Sequence, residues 1–387
     1  RQGRGGDYTM TEHSFFPPSS GDKLIHCAGS ELLQAQFPDQ GDSVESKEGT
    51  AAHWWGAEHL ADDGSRPTVG ATAPNGVIVT QGMADGADEW IKAVESILAD
   101  AGTAAVLNVE RRVAIPTVHE LCFGTPDTDI WVGWAKTLHV VDFKFGYGLH
   151  EAYRHIQCVE YAEGRIVELM AADPTLRRED ITVVITIVQP RAYHVLGTTR
   201  SWTCNAVDLQ PIIAQLASQA VKSLEADPEV RTGPGCKHCR GRHACLAFQA
   251  KGYEAAEYVN RATAVELKGP ALALELQTLE DGLAAIKARL SGLQEQAFYE
   301  LRRGGSLPGY GIEHGRGSTD WIKPAAVVVA MGDAMGVDLR KELKAITPTQ
   351  AKKLIDESVI SAYASHTPGA AKLVRTSESL AKQVFSQ

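Results

Sequence analysis

A β-hairpin, a long helix and a further strand, in that order between residues 129 and 189, constrain the fold more than any other stretch of the chain. Strand patterns cover 129–134 and 137–145, a helical pattern covers 149–172, and 181–189 reads Ile-Thr-Val-Val-Ile-Thr-Ile-Val-Gln. Upstream, helices are expected over 49–61 and 85–100 and a strand over 104–115. Downstream come a strand near 192–203 and a helix over 208–226. That order predicts an α/β fold. In a strand, residues i and i+2 point the same way. Asp142 and Lys144 therefore share one face, and Val141 and Phe143 take the other. Gln157 and Tyr161 stand four apart, on one face of the following helix.

The Asp142-Phe143-Lys144 triplet has a partner upstream in the turn Gly124-Thr-Pro-Asp127. Mg2+ takes hard oxygen ligands and needs only one or two protein carboxylates, leaving other positions to water and phosphate. Asp127 and Asp142 suit that role, with Lys144 beside them to orient an attacking water and offset phosphate charge. The triplet by itself says little. Glu45-Ser-Lys47, Glu266-Leu-Lys268 and Glu342-Leu-Lys344 repeat it, but only Asp142 follows a strand pattern with such a turn before it. The competing reading is a solvated Asp–Lys pair on a surface strand.

A second constellation is Cys236-Lys-His-Cys239-Arg-Gly-Arg-His-Ala-Cys245, with Cys27 far upstream in His26-Cys27-Ala-Gly-Ser. Cys122, Cys158 and Cys204 lie in apolar or strand-like settings and read as ordinary buried thiols. Cysteines this close, in a chain with no secretion signal, point to metal rather than disulfides. Four thiolates suit zinc or an iron–sulfur cluster. A Cys3His zinc site using His238 or His243 is the alternative, and the remoteness of Cys27 favours the cluster.

The 387 residues allow two or three domains, with 44% hydrophobic content and no apolar run near the ~20 residues that span a bilayer. A net charge of −10 argues against coating DNA by bulk electrostatics but leaves room for a local basic groove. Arg111, Arg112, Lys237, Arg240, Arg242 and His243 are its candidates. Residues 1–9 read as an expression remnant before Met10. Apolar residues recur at helical spacing over 271–301, followed by a β-like piece at 310–313 and two or three helices from Pro324 onward. Pro348 marks one helix start. This region carries no catalytic constellation and reads as a packing appendage.

The full pattern comprises an early cysteine, Gly-x-x-Asp, Asp-x-Lys, Gln-x3-Tyr and C-x2-C-x5-C. It resembles the RecB-type branch of the PD-(D/E)XK nucleases. Within that branch it is similar to members with an iron–sulfur staple, the AddB-type helicase-nucleases and the CRISPR adaptation nucleases. From Met10 the chain is also similar to a phage-encoded family of this superfamily. The resemblance implies a restriction-endonuclease-like core over 10–250, a mixed central sheet flanked by helices, then a mostly helical region over 251–387. It implies Mg2+ or Mn2+ held by His53, Asp127, Asp142 and the Phe143 carbonyl, with Lys144, Gln157 and Tyr161 in the active site. A [4Fe-4S] cluster, or alternatively Zn2+, would sit on Cys27, Cys236, Cys239 and Cys245. The implied activity is a DNA exonuclease processing ends in phage recombination or replication. Its implied partners are DNA and a single-strand annealing or single-strand-binding recombination protein, in the cytoplasm of a bacterial host. A catalytically silent DNA-binding or scaffold module is the rival function. Residue alternatives also stand: a core role for His53, sheet packing for Tyr161, an edge charge for Glu110, and Asp129 competing with Asp127 for metal.

Overall fold

A mixed sheet carries the candidate acids. Its strands are β1 (Ala105–Val109), β2 (Thr128–Val132), β3 (Thr137–Phe143), β4 (Thr182–Val188) and β5 (Thr199–Asn205), and they lie side by side in chain order. The computed structural model describes residues 14–37, 41, 43–61, 66–259, 266–268, 270–314, 318–341, 344–352, 354–367 and 371–375. The expected remnant at 1–9 lies outside them.

The β1–β2, β2–β3 and β4–β5 pairs are antiparallel, whereas β3 and β4 run parallel with Asp142 opposite Ile187. A parallel pair needs a crossover, and here it is α3 (Ile156–Ala172), which follows α1 (Val44–Leu60) and α2 (Gln81–Ala101) in the chain. Alternation sorts the strands onto two cores. Leu138, Val140, Val183, Ile185 and Ile187 pack with Cys158, Val159, Ala162 and Ile166 of α3 and Ile213 and Leu216 of α4 (Gln210–Ser223). Ile130, Val132, Val141, Phe143 and Val188 face α1 and α2, meeting Ala51, Trp55, Met83, Ala87 and Trp90. Helices thus cover both faces, and the chain is α/β.

The helices begin where side chains can satisfy free backbone donors. Ser43 accepts from the Ser46 N–H at 3.1 Å ahead of α1, and Thr80 accepts from the Met83 N–H at 3.3 Å ahead of α2. Three expected elements differ from the observed ones. The strand over 104–115 ends at Val109, because Glu110 turns the backbone to φ 47; Val113–Ala114 then pairs with Phe123–Gly124 instead. The helix over 149–172 starts at Ile156. Its first residues fold as a loop tied to Gln189, whose amide donates to the Gly146 and Gly148 carbonyls at 3.1 and 2.7 Å. The strand near 192–203 begins only at Thr199.

Beyond the sheet, α5 (Leu246–Val259) and the 33-residue α6 (Pro270–Arg302) pack together. Much of the expected apolar stripe of α6, including Leu276, Leu283 and Leu290, stays exposed. The last region has its own small core around Trp321, Val328, Met331, Leu339 and Ile360. The expected helices occur at Ala325–Ala334, Pro348–Ala351 and Glu357–Ser361. They are joined by β-pairs that the sequence reading lacks, including Ser318–Trp321 with Ala364–Thr367. Among the described residues no helix is long and apolar enough to cross a membrane.

Candidate metal centre and cysteine site

Asp127 stands in the turn just before β2, at the end of the sheet where β3 finishes. Glycine is required at the start of that turn: a Cβ on Gly124 would lie 2.8 Å from the Tyr161 ring and 2.9 Å from Pro18. One carboxylate oxygen, Asp127 Oδ2, accepts the Phe143 N–H at 2.6 Å. The other, Oδ1, lies 3.2 Å from His53 Nδ1 on α1. The Glu110 N–H donates to the Asp127 carbonyl at 3.1 Å, and the turn at φ 47 brings the Glu110 carboxylate to the same place. One ligand atom from each of His53, Glu110 and Asp127 falls within 4.8 Å of the others. The Lys144 N–H points the opposite way, to the Val188 carbonyl at 2.8 Å. Strand alternation therefore aims the Phe143 carbonyl to the Asp127 side.

Asp142 lies on the α3 side of β3, as alternation predicts. It is buried, with Lys144 Nζ 3.1 Å from Oδ1 and 3.0 Å from Oδ2. Both carboxylate oxygens thus face the ammonium group. Lys144 also donates to Gln157 Oε1 at 2.9 Å, and Gln157 Nε2 donates to the Tyr161 hydroxyl at 3.3 Å. Gln157 and Tyr161 thus share the face of α3 that looks back at the strand end. The predicted residues fall in two neighbouring sets at this end of β3: His53 and Asp127 with Glu110, and Asp142 with Lys144, Gln157 and Tyr161, Asp142 standing outside the close group of the first set.

The charges are mutually adjusted. Burial works against an ionised Asp127, but His53, Lys144 and the Phe143 N–H outweigh it and hold the carboxyl below its ordinary range. Burial raises Asp142, and the Asp127 charge adds to this against the pull of Lys144. Lys144 and His53 both rise despite burial, Lys144 through Asp142 and Asp127 and His53 chiefly through Asp127. Glu110, solvent-exposed on its outer side, is pushed up to about 7 by desolvation and by Asp127. Two repelling carboxylates beside a third and an imidazole form a donor set that a divalent cation would relieve.

Asp129 does not join this group. It is fully buried on the α3 side, accepting from Arg165 Nε at 2.7 Å and Asn108 Nδ2 at 2.9 Å. Asp127 belongs to the turn, not the strand, so the same-face rule does not link the two. Glu110, which sequence reasoning left between a supporting carboxylate and an edge charge, stands past the end of β1 beside Asp127 and His53. The available signal was Glu110-Arg111-Arg112, three charges in a row, which a half-buried strand cannot accommodate by alternation.

The four predicted cysteines line one cavity, together with Lys23, Arg242 and Phe248. Gly235 permits the close approach of their loop, since a Cβ there would lie 2.6 Å from the Asp22 carbonyl. Three of the sulfurs accept backbone N–H groups: Cys27 from Arg231 at 3.4 Å, Cys236 from Gly233 at 3.2 Å, Cys245 from Phe248 at 3.4 Å. Burial pushes the Cys27, Cys236 and Cys239 thiols up, and the N–H donors to Cys27 and Cys236 only partly offset it. Neither His238 nor His243 lines the cavity, and His243 instead packs on Phe37 at 4.4 Å. A tetrahedral zinc with bonds of about 2.3 Å holds its sulfurs roughly 3.8 Å apart. No three of these cysteine sulfurs lie within 4.8 Å of one another. Cys122 and Cys158 are buried elsewhere in the sheet core, and Cys204 is half-buried at its margin.

The DUF2800 family model, described as a protein of unknown function, matches residues 13–380, and the chain therefore belongs to that family.

Proposed function

We propose that this chain is a divalent-metal-dependent DNA nuclease of the RecB-type PD-(D/E)XK kind, built on a restriction-endonuclease-like core. The observation that carries the reading is the convergence of His53, Glu110 and Asp127 with the Asp142–Lys144 pair at one end of β3. A bound Mg2+ or Mn2+ would supply Lewis-acid charge at the phosphate and acidify a water. His53, Glu110, Asp127 and Asp142 are the residues that would hold it, with the Phe143 carbonyl directed to the same side. The imidazole in this set suits Mn2+ better than Mg2+.

The remaining work falls to the chain's own groups. Lys144 stays cationic, so it cannot serve as the base; it presents N–H donors and positive charge to a phosphate oxygen or to the attacking water. Gln157 fixes the ammonium, and Tyr161 fixes Gln157. In this reading the cysteine cavity holds a [4Fe-4S] cluster, supported by the four cysteines lining one cavity and by the N–H···S donors. Action on DNA ends, in recombination or replication, remains part of the same proposal.

The test is digestion of end-labelled linear DNA with Mn2+. Wild type is expected to degrade it, and Asp142→Ala and Lys144→Ala to slow by about 100-fold or more. An inert wild type under these conditions would leave the DNA-binding scaffold as the better reading. Metal analysis of the same preparation should find iron rather than zinc, with visible absorbance that bleaches on oxidation.

A further inference from the structure

Two loops beside Lys144 hold aromatic side chains far out in solvent. Residues 144–155 leave β3 and residues 189–198 leave β4, so both emerge at the end of the sheet that carries the site. On them Tyr147 is 70% exposed, Tyr153 63% and Tyr193 93%, with Leu196 at 74%. Single exposed apolar residues need no explanation, but a cluster on adjoining loops marks a contact surface.

The loops are braced rather than merely extended. Gln189 ties Gly146, Gly148 and His150 together, and Arg200 donates to the His150 carbonyl at 2.7 Å and the Gly197 carbonyl at 3.0 Å. The Arg191 guanidinium lies 3.7 Å over the Phe145 ring and 5.3 Å over Tyr147. Arg154 lies 5.4 Å over Tyr153, which packs edge-on against Trp202. The cations alongside are Lys144 and Lys237, which after burial help push the His150 imidazole down to about 4. The local acids are Glu48, paired with Arg191 at 3.1 Å, and Glu151, 3.5 Å from His194.

We propose that this two-loop surface stacks the unpaired bases of single-stranded DNA and feeds the strand to the Asp142–Lys144 end of the sheet. The inference rests on the nuclease reading and narrows its substrate to single strands. Every base offers a π-face to a tyrosine or arginine plane, whereas a duplex hides those faces inside its stack. Only three positions separate Lys144 from Tyr147, so a stacked base would hold its phosphate near the ammonium group. That continuity, with the cations around it, favours nucleic acid over a protein partner.

Fluorescence anisotropy of the full chain in EDTA, with labelled oligothymidylate and a labelled duplex, tests this. Wild type should bind the single strand more tightly. Tyr147→Ala/Tyr193→Ala should lose about tenfold or more on the oligonucleotide, with duplex binding and Tm unchanged. Tyr147→Phe/Tyr193→Phe should bind like wild type, because stacking uses the ring and not the hydroxyl. Unchanged affinity in the alanine variant, an equal loss on duplex, or an altered elution volume in place of a binding loss would overturn the proposal. Binding is read here without metal or cleavage. A wild type that shows this stacking signature but cuts nothing with Mn2+ would sink the nuclease reading alone; one that cuts DNA while the alanine variant binds normally would sink the stacking surface alone.

Discussion

Glu110 sits at φ 47, a backbone region that non-glycine residues enter at a cost and that recurs at functional sites. The turn sets its carboxylate beside Asp127 and His53, where a metal ligand would repay that strain. Glu110→Gln keeps the shape and removes the charge. Mn2+ affinity measured by titration calorimetry is expected to fall about tenfold or more; an unchanged affinity would return Glu110 to the role of an edge charge. A different carboxyl governs pH behaviour. Glu160 is buried on α3, accepts a bond from Cys122 Sγ at 3.7 Å, and is driven well above its ordinary range by that burial. The folded chain therefore holds this proton more tightly than the unfolded one. The stability it contributes is full below the unfolded value, near pH 4, and drains away as pH rises above it. Glu160→Gln cannot ionise, so its Tm should match wild type near pH 4 and exceed it increasingly toward pH 8. Melts in which the two curves stay parallel would exclude a protonated Glu160.

At the scale of elements, β2 is fastened to α3 through Asp129 and Arg165, both buried. Removing Asp129 leaves buried Arg165 only its pairing with Glu168, so Asp129→Ala should cost up to about 3–5 kcal/mol in denaturant unfolding. The Asp129→Ala/Arg165→Ala double variant should cost less than the sum of the singles. Additive losses would mean that the two groups do not sense each other. The same pair shows what the sequence could express. The cores of β3 and β4 were legible because one period of two runs through Thr137–Phe143 and a β-branched run marks Thr182–Val188. Asp142, Lys144, Gln157 and Tyr161 followed from those periods, and the cysteine loop followed from spacing. The direction of Asp129 was not legible, since it depends on whether Asp127 is already in the strand. Nor was the start of α3 legible: the loop before it is held by Gln189, some forty residues on, and local pattern carries no trace of such a partner. The exposed stripe of α6 shows the converse, helical periodicity present without the burial that normally explains it.

For the whole molecule, the cysteine cavity joins the first described segment to the end of the nuclease-like region. Cys27 lies between two short helices, Gly21–Leu24 and Ser30–Ala35, and its three partners follow α4. A crosslink closing so long a loop is worth roughly 5 kcal/mol in the chain-entropy picture. Stripping the metal should therefore lower Tm and open residues 14–37 and 224–248 to limited proteolysis before the sheet is cut. Mass spectrometry of the first fragments checks the order, and initial cleavage inside β2–β4 would contradict it. The long helix α6 also bears on this site: buried Arg242 donates to the Cys239 carbonyl at 2.9 Å and is paired with Glu295. The last third of the chain thus reaches the cysteine loop through two guanidinium groups, Arg242 of the loop bonded to Ser291 and Glu295, and Arg289 of α6 donating to the His243 carbonyl.

The distance in sequence between Cys27 and its three partners also imposes a timetable on synthesis. A ribosome adding about 5–20 residues per second needs about 10–40 seconds to pass from the first of these thiols to the next. Throughout that interval all five strands can emerge and pair, and the amino-terminal segment can dock on their core through Phe16, Leu24 and Ile25, while Cys27 still lacks its three partner thiols. If the cavity takes the proposed cluster, the nascent chain must keep one solitary sulfur until its three counterparts leave the exit tunnel, and only then could cluster delivery seal the two segments together.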